Sequence, residues 1–233
     1  MNDGSKYGPE DSASFQAERR EMVDRQIRDR GIRSMRVLAA MGAVPRHLFV
    51  PRERIQEAYL DAPVAIGEGQ TISQPYIVAL IAEALSLKGH ERVLEVGAGS
   101  GYQAAVVSLL AGEVIAVESH STLAASARER LARLGYANIR VEEGDGSLGW
   151  PQCAPYDAIL VTAAAPSLPE PLLAQMAEGA RLVIPVGGPE QQDLLRLVKR
   201  GSTRSQESLC ACRFVPLIGR FGWQSKAKET IHR

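Results

Sequence analysis

The sequence predicts an α/β protein in which helices flank a mostly parallel, doubly wound sheet. Three observations predict it. Val93-Leu94-Glu95-Val96 is a β-favouring run that enters the glycine-rich turn Gly97-Ala98-Gly99-Ser100-Gly101, and an apolar helical stretch from Gln103 to Ala111 follows. A second apolar strand, Glu113 to Glu118, comes next. Ala158-Ile159-Leu160-Val161 is a continuous apolar run, as a central parallel strand covered on both faces requires. Strand and helix patterns alternate between these points, which is the order of an α/β sheet.

At 233 residues the chain suits one large domain with a substantial core. Hydrophobic content of 45% and charged content of 23% are ordinary for a globular protein. The formal net charge of zero gives no reason to expect nucleic acid or a membrane surface as a partner. No apolar run approaches the about 18 residues of a spanning helix, and Met1 to Ser5 lacks a secretory h-region. Cys153, Cys210 and Cys212 make neither an even disulfide framework nor a CxxC pair. Reduced thiols, a cytoplasmic location and a monomer are the expectation, with no metal site.

Residues 1–13 are polar and read as a flexible tail. Residues 14–219 read as a single domain, with 14–90 a helical cap and substrate segment and 91–219 the sheet core. Residues 220–233 are left as a C-terminal tail. A helix starts at Ser14, buries Met22, Val23 and Ile27, and closes at Gly31. Ser34 caps a second helix carrying Val37, Leu38 and Met41. Val44 to Pro51 is bracketed by prolines and reads as an extended link, with a short helical turn from Arg54 to Tyr59. His47, set among Pro, Leu and Phe, reads as a structural contact.

Ile66 to Tyr76 is the second informative stretch. Gly67 and Gly69 loosen the backbone, polar residues follow, and Pro75 stands as a first helical residue. The helix runs on through Ile77, Leu80, Ile81, Ala84 and Leu85. Ser73 therefore lies at a helix N-terminus. It has two readings there: a capping serine, or a hydroxyl donor beside free N–H groups in a site for a carboxylate.

The glycines of the 97–101 turn permit positive φ and close approach of the backbone to a ligand. The turn opens onto a helix N-terminus, which favours anionic or polar ligand groups. A dinucleotide fingerprint, G-x-G-x-x-G, would place its third glycine at Tyr102 and so fails. What stands is Glu95-x-Gly97-x-Gly99-x-Gly101, with the acid inside the strand. Glu118 ends the next strand about 20 residues on, where a carboxylate can take both ribose hydroxyls. This pair of features resembles the first motifs of the S-adenosylmethionine-dependent methyltransferases.

The remaining elements follow in order. Ser121 to Leu134 is an amphipathic helix with Leu123, Ala127, Leu131 and Leu134 inward. Ile139-Arg140-Val141 is a strand, and Gly144-Asp145-Gly146 a turn in which Asp145 has an ordinary turn role. After Val161, Thr162 to Pro166 are small residues at a strand's carboxyl end, the edge where ligands gather in such sheets. Pro171 to Met176 is a short helix and Arg181 to Val186 a strand. Leu194 to Lys199 and Leu209 to Val215 read as an antiparallel pair across a loop from Arg200 to Ser208.

A closer resemblance rests on several blocks in order. Gly69-Gln70-Thr71-Ile72-Ser73-Gln74-Pro75, Glu95 to Gln103, Val44 to Pro51, Gly144-Asp145-Gly146, Tyr156 to Ala163, Leu182 to Gly187 and Arg213-Phe214-Val215-Pro216-Leu217 are similar to the protein-L-isoaspartate O-methyltransferases. The glycine motif is shared by many methyltransferases, whereas the Thr71–Pro75 and Arg213–Leu217 blocks are more specific. Ala180, in a turn that often carries glycine, and both chain ends depart from the pattern.

The resemblance implies a Rossmann-like, seven-stranded methyltransferase sheet with an antiparallel strand at its edge region. It implies S-adenosyl-L-methionine as cofactor and S-adenosyl-L-homocysteine as product. Cofactor contacts would come from Thr71, Gln74, Glu95, Gly97, Gly99, Gly101, Glu118, Asp145 (at the adenine end) and Gly146. Ile72, Thr162, Val215, Pro216 and Leu217 would border a peptide groove, and Ser73 would be the catalytic position. The implied substrate is the free α-carboxylate of L-isoaspartyl residues in damaged proteins, with D-aspartyl residues left open. A carboxylate with a pKa near about 3.5 is ionised at neutral pH and needs no general base. Ser73 is then an orienting donor, not a nucleophile. Two alternatives stand beside this reading: a methyltransferase of a small molecule, and a cofactor-binding module without catalysis.

Overall fold

Strand β3 (Arg92–Val96) is an inner strand of the sheet, and four of its five residues are buried. The computed structural model describes Tyr7 and residues 10–224. A two-stranded hairpin, β1 (Val64–Gly67) and β2 (Gln70–Ile72), precedes it. The main sheet adds β4 (Glu113–Glu118), β5 (Ile139–Glu143), β6 (Tyr156–Val161), β7 (Met176–Gly187), β8 (Gln192–Arg200) and β9 (Thr203–Cys212). Its order is β5-β4-β3-β6-β7-β8-β9. The strands from β3 to β7 pair in parallel, and β8 is antiparallel to both β7 and β9. The antiparallel strand therefore lies one place in from the edge.

Alternate residues of the central strands feed two cores, as a period of two dictates. Val93, Val114, Ala116, Ala158, Leu160 and Val183 join one core. Leu94, Val96, Ile115, Val117, Ile159, Val161, Leu182 and Ile184 join the other. The first face packs against α2 (Met35–Ala43), α3 (Pro75–Leu85), α4 (Tyr102–Ser108) and α5 (Ser121–Arg133), and the second against α6 (Glu170–Ala174). Chain order reverses direction beside β3, with β4 on one side and β6 on the other. That is the topological switch point, where a doubly wound sheet leaves a crevice at its carboxyl edge.

The cap begins with α1 (Ala13–Glu21), which continues as a π-helical stretch over Met22–Arg28. Ser34 caps α2 by accepting from Val37 N, as expected. The Val44–Pro51 link is not extended throughout: Arg46–Phe49 form a 3₁₀ turn that opens with Leu48 N donating to Pro45 O. Pro45 holds the φ the turn needs. His47 is a core contact, stacked on Phe15 at 4.1 Å, with its ring nitrogens 2.7 Å from Tyr59 OH and 2.9 Å from Glu10 O.

Several boundaries differ from the sequence reading. The described part of residues 1–13 is not a tail: Tyr7 OH bonds Tyr136 OH, and the Asp11 carboxylate takes two bonds from Arg19 in the core. Residues 220–224 also pack on the domain, with Trp223 Nε1 donating to Ala164 O; residues 225–233 lie outside the described residues. The loop placed at Arg200–Ser208 is instead the start of β9, joined to β8 by a tight turn at Gly201. Its residues Thr203–Ser208 are all exposed and polar, so apolar alternation could not reveal a strand at a sheet edge. Ala180 lies within β7.

The Asp11–Arg19 pair links the front of the chain to the cap, since Arg19 Nε also donates to Gly42 O at 2.8 Å. Both side chains are buried. Removing one partner of a buried pair strands the other charge. Asp11→Ala is expected to cost roughly 3 kcal/mol, read as a lower urea midpoint with an unchanged slope; a midpoint equal to wild type refutes the role.

Candidate active site

The glycine turn is held tightly from several directions. Gly97 N and Ala98 N both donate to Val117 O, and Arg130 of α5 donates to Ser100 O at 2.9 Å. Gly97 has φ +95°, and a Cβ there would stand 2.4 Å from Thr162 Oγ1. Only glycine allows that approach. Thr162 in turn donates its hydroxyl toward Gly97 O at 2.6 Å, fastening the end of β6 to the turn. Gly99 has φ +52° and faces Ile66 of the β1–β2 hairpin.

Three cavities meet around this turn. One of about 60 Å³ is lined by Gly97, Gly99, Glu118, His120, Gly146 and Leu217 among others. A second of about 30 Å³ lies among Ile72, Ser73, Glu95, Gly99 and Gln103. A groove of about 510 Å³ runs past Pro63, Ser73, Gln74, Ile77, Phe214, Val215 and Pro216. Thr71 and Thr162 line all three, so they mark the junction of the turn side and the groove side.

Ser73 is half-buried and borders both the groove and the smallest cavity. Its hydroxyl has no hydrogen bond among the described residues. The capping reading does not hold: Gln74 is the N-cap of α3, Pro75 is its first residue, and Val78 N bonds the Gln74 carbonyl. Gln74, expected on the cofactor side, lines the groove, where its amide donates to Asp61 Oδ1 at 2.9 Å.

The two acids differ sharply. Glu118 accepts from Gly99 N at 2.8 Å and from His120 N at 3.0 Å, which fixes its carboxylate at the cavity wall. Glu95 is fully buried, and neither of its oxygens has a partner. Burial first, and the Glu118 charge second, push its pKa well above the usual carboxylate range. Gly146 lines the larger of the two small cavities, and a Cβ there would stand 2.6 Å from Val96 Cγ1.

Two expected contacts are placed differently. Asp145 lines none of the three cavities: Oδ1 accepts from Ser147 N and Oγ, and Oδ2 accepts from Arg220 N at 2.8 Å. These bonds tie the turn to the segment after Ile218. Gly101 is also away from the cavities; it brings α4 against α5, where a Cβ would stand 3.1 Å from Leu131 Cδ1. His120, two residues beyond the strand-ending acid, and Ile218 line the cavity without having been read from sequence. Position just past Glu118 was the only available signal for His120.

The residues present fit an adenosyl amino-acid cofactor: backbone without Cβ atoms at Gly97 and Gly99, an anchored carboxylate at Glu118, and an orphaned buried acid at Glu95. The raised pKa has a sign. A folded value above the unfolded one contributes stability below about pH 4.3, which is lost as pH rises through the raised value. Against Glu95→Gln, the ligand-free wild type is therefore expected to lose melting temperature as pH is raised from 5 to 8. A gap between the two that stays constant with pH refutes a buried neutral carboxyl.

Comparison with known proteins agrees with this geometry. The family model described as protein-L-isoaspartate(D-aspartate) O-methyltransferase matches residues 17–222. A Methanoregula boonei protein-L-isoaspartate O-methyltransferase is 55% identical over 208 residues, covering 89% of this chain and 96% of the relative. One from Rhodopseudomonas palustris is 53% identical over 230 residues, covering 97% and 94%. A solved protein-L-isoaspartate O-methyltransferase superposes with a TM-score of 0.80 at 30% identity, over 87% of this chain and 67% of that one. A candidate enzyme of the same description from Plasmodium falciparum, solved with S-adenosyl-L-homocysteine, gives 0.74 at 25% identity, over 86% and 98%. From the capped helix α2 to the strand-bordered groove, this chain belongs to the protein-L-isoaspartate(D-aspartate) O-methyltransferase family.

Proposed function

We propose that the chain transfers a methyl group from S-adenosylmethionine to the free α-carboxylate of L-isoaspartyl residues in damaged proteins, the first step of their repair. One observation carries the reading: the unpartnered Ser73 hydroxyl stands where the groove meets the cavities of the glycine turn. The bound cofactor supplies a methyl group already activated on a sulfonium. The chain's task is therefore to place a carboxylate in line and keep water out.

Each part has a residue suited to it. Gly97, Gly99 and Gly146 give the cofactor backbone to lie against, and Glu118 takes ribose hydroxyls. Thr71 lies at the junction through which the methyl group must pass. Ser73 donates a hydrogen bond to the attacking carboxylate and turns one oxygen toward the methyl. Orientation of this kind reaches effective molarities of about 10⁵ to 10⁸ M. Val215 and Pro216 form part of the groove's wall, and Leu217 lines the cavity beside Glu118; Ala164 N donates to Val215 O at 2.7 Å and Leu217 N donates to Ala164 O at 2.8 Å. Thr162 completes the groove's border, while Ile72 lines the smallest cavity beside Ser73. An isoaspartyl α-carboxylate is displaced by one methylene from the normal chain, so a normal aspartate presents its carboxylate at the wrong place. The backbone amide nitrogen displaces methanol from the ester to form a succinimide, which water reopens in part to normal aspartate.

Labelled S-adenosylmethionine with an isoaspartyl peptide is expected to give base-labile label, absent from the same peptide carrying aspartate. Equal labelling of both, or of neither, overturns the substrate assignment. Ser73→Ala is expected to lower kcat by about 10² while the affinity for S-adenosyl-L-homocysteine stays within error. Unchanged turnover in that variant removes Ser73 from the mechanism.

A further inference from the structure

Gln74 borders the groove with one end of its side-chain amide already engaged. Nε2 donates to Asp61 O at 3.1 Å and to Asp61 Oδ1 at 2.9 Å. Both atoms it meets are acceptors, so the NH₂ end must face them and the amide cannot turn over. Asp61 is held in its turn: Arg30 Nη1 lies 3.1 Å from Oδ2, and the same guanidinium stacks over the Tyr76 ring at 3.8 Å. An exposed ion pair alone contributes little to stability, and here its effect is geometric, since it fixes Asp61 for Gln74. Gln74 Oε1 is left without a hydrogen bond among the described residues. The groove it borders is walled largely by apolar residues, Pro63, Ile77, Phe214, Val215 and Pro216. In such a wall a few fixed polar groups set the orientation of what binds, and an acceptor fixed in advance needs less ordering on binding.

The acceptor's chemistry supplies a matching donor. In an isoaspartyl residue the free carboxylate and the residue's own N–H are carried by the same carbon, Cα. In an aspartyl residue the free carboxylate is carried by Cβ, one carbon further from that N–H. Ser73 and Gln74 are consecutive residues on the groove, one presenting a hydroxyl donor and the other an amide acceptor. We propose that Gln74 Oε1 accepts the N–H of the isoaspartyl residue while Ser73 donates to its carboxylate, so that the two side chains together read the spacing between these groups. This rests on the isoaspartyl methyltransferase reading and adds to it a residue that sets specificity. The alternative, that Gln74 only braces the start of α3 against Asp61, predicts that its replacement affects all acceptors alike.

The test measures methyl transfer by the full chain to two peptides that differ at one atom. One carries isoaspartate, and in the other an ester oxygen replaces the isoaspartyl N–H. A neutral hydrogen bond corresponds to about 2- to 10-fold in affinity. Wild type is expected to lose about that factor in kcat/KM on the ester peptide. Gln74→Leu is expected to lose it already on the amide peptide, to lose nothing further on the ester, and to keep its affinity for S-adenosyl-L-homocysteine. An ester penalty as large in Gln74→Leu as in wild type overturns the proposal, and so does a matching fall in affinity for S-adenosyl-L-homocysteine. If the leucine variant does not fold, Gln74→Ser decides by the same comparison, because serine suits a helix cap and is too short to replace the amide. Wild type that methylates neither peptide refutes the isoaspartyl reading itself. Wild type that methylates both equally overturns only the role of Gln74.

Discussion

The site depends on one close approach, that of the Gly97 backbone to the Thr162 side chain. The two residues lie 65 positions apart and meet because β3 and β6 are parallel neighbours in register, Val96 opposite Val161. Each strand ends at the same level, so the chain leaving β3 and the chain leaving β6 enter the same crevice. A bulkier residue at 97 would push the two ends apart. With glycine there, Thr162 reaches across, and one hydroxyl stands at the boundary of all three cavities. The separation of the turn-side cavities from the groove follows from that contact and from Thr71, which comes from the β1–β2 hairpin.

Charge in this site is organised by burial more than by ion pairing. Glu118 is held by the backbone N–H groups of Gly99 and His120, which fixes its orientation without a cation beside it among the described residues. Glu95, one strand away, has no such partner, and the neighbouring carboxylate makes its ionisation harder still. Two carboxyl groups close in space thus have different characters. The same contrast appears in the cap, where Arg19 has its carboxylate, while the fully buried Arg46 donates to the Ala58 carbonyl through Nε and lies over the Tyr102 ring at 5.0 Å. Tyr102 follows the glycine turn directly, so the cap and the turn share this contact.

Much of this architecture was legible in the residues. The run Val93–Val96, the acid at Glu118 and the uninterrupted Ala158–Val161 strand gave the central sheet, because strands buried on both faces leave a continuous apolar trace. Pro75 and Ser34 marked helix starts through their backbone chemistry. What escaped lay at surfaces and at long range. β9 is polar along its first half because one side of an edge strand meets water. Asp145 has the same sequence setting whether it faces a ligand or a turn; only the return of the chain at Arg220 decides between them.

The wall built by residues 215–218 also bears on how the protein is made. Synthesis delivers the glycine turn early and the Val215–Ile218 segment more than a hundred residues later, followed by Trp223, which bonds back to Ala164. A chain emerging from the ribosome has the turn, the two acids and Ser73 long before it has the groove's far side. Domains generally complete folding as units. A partly synthesised or truncated protein thus has the turn and both acids but lacks Leu217 and Ile218 of the turn-side cavity and Val215 and Pro216 of the groove.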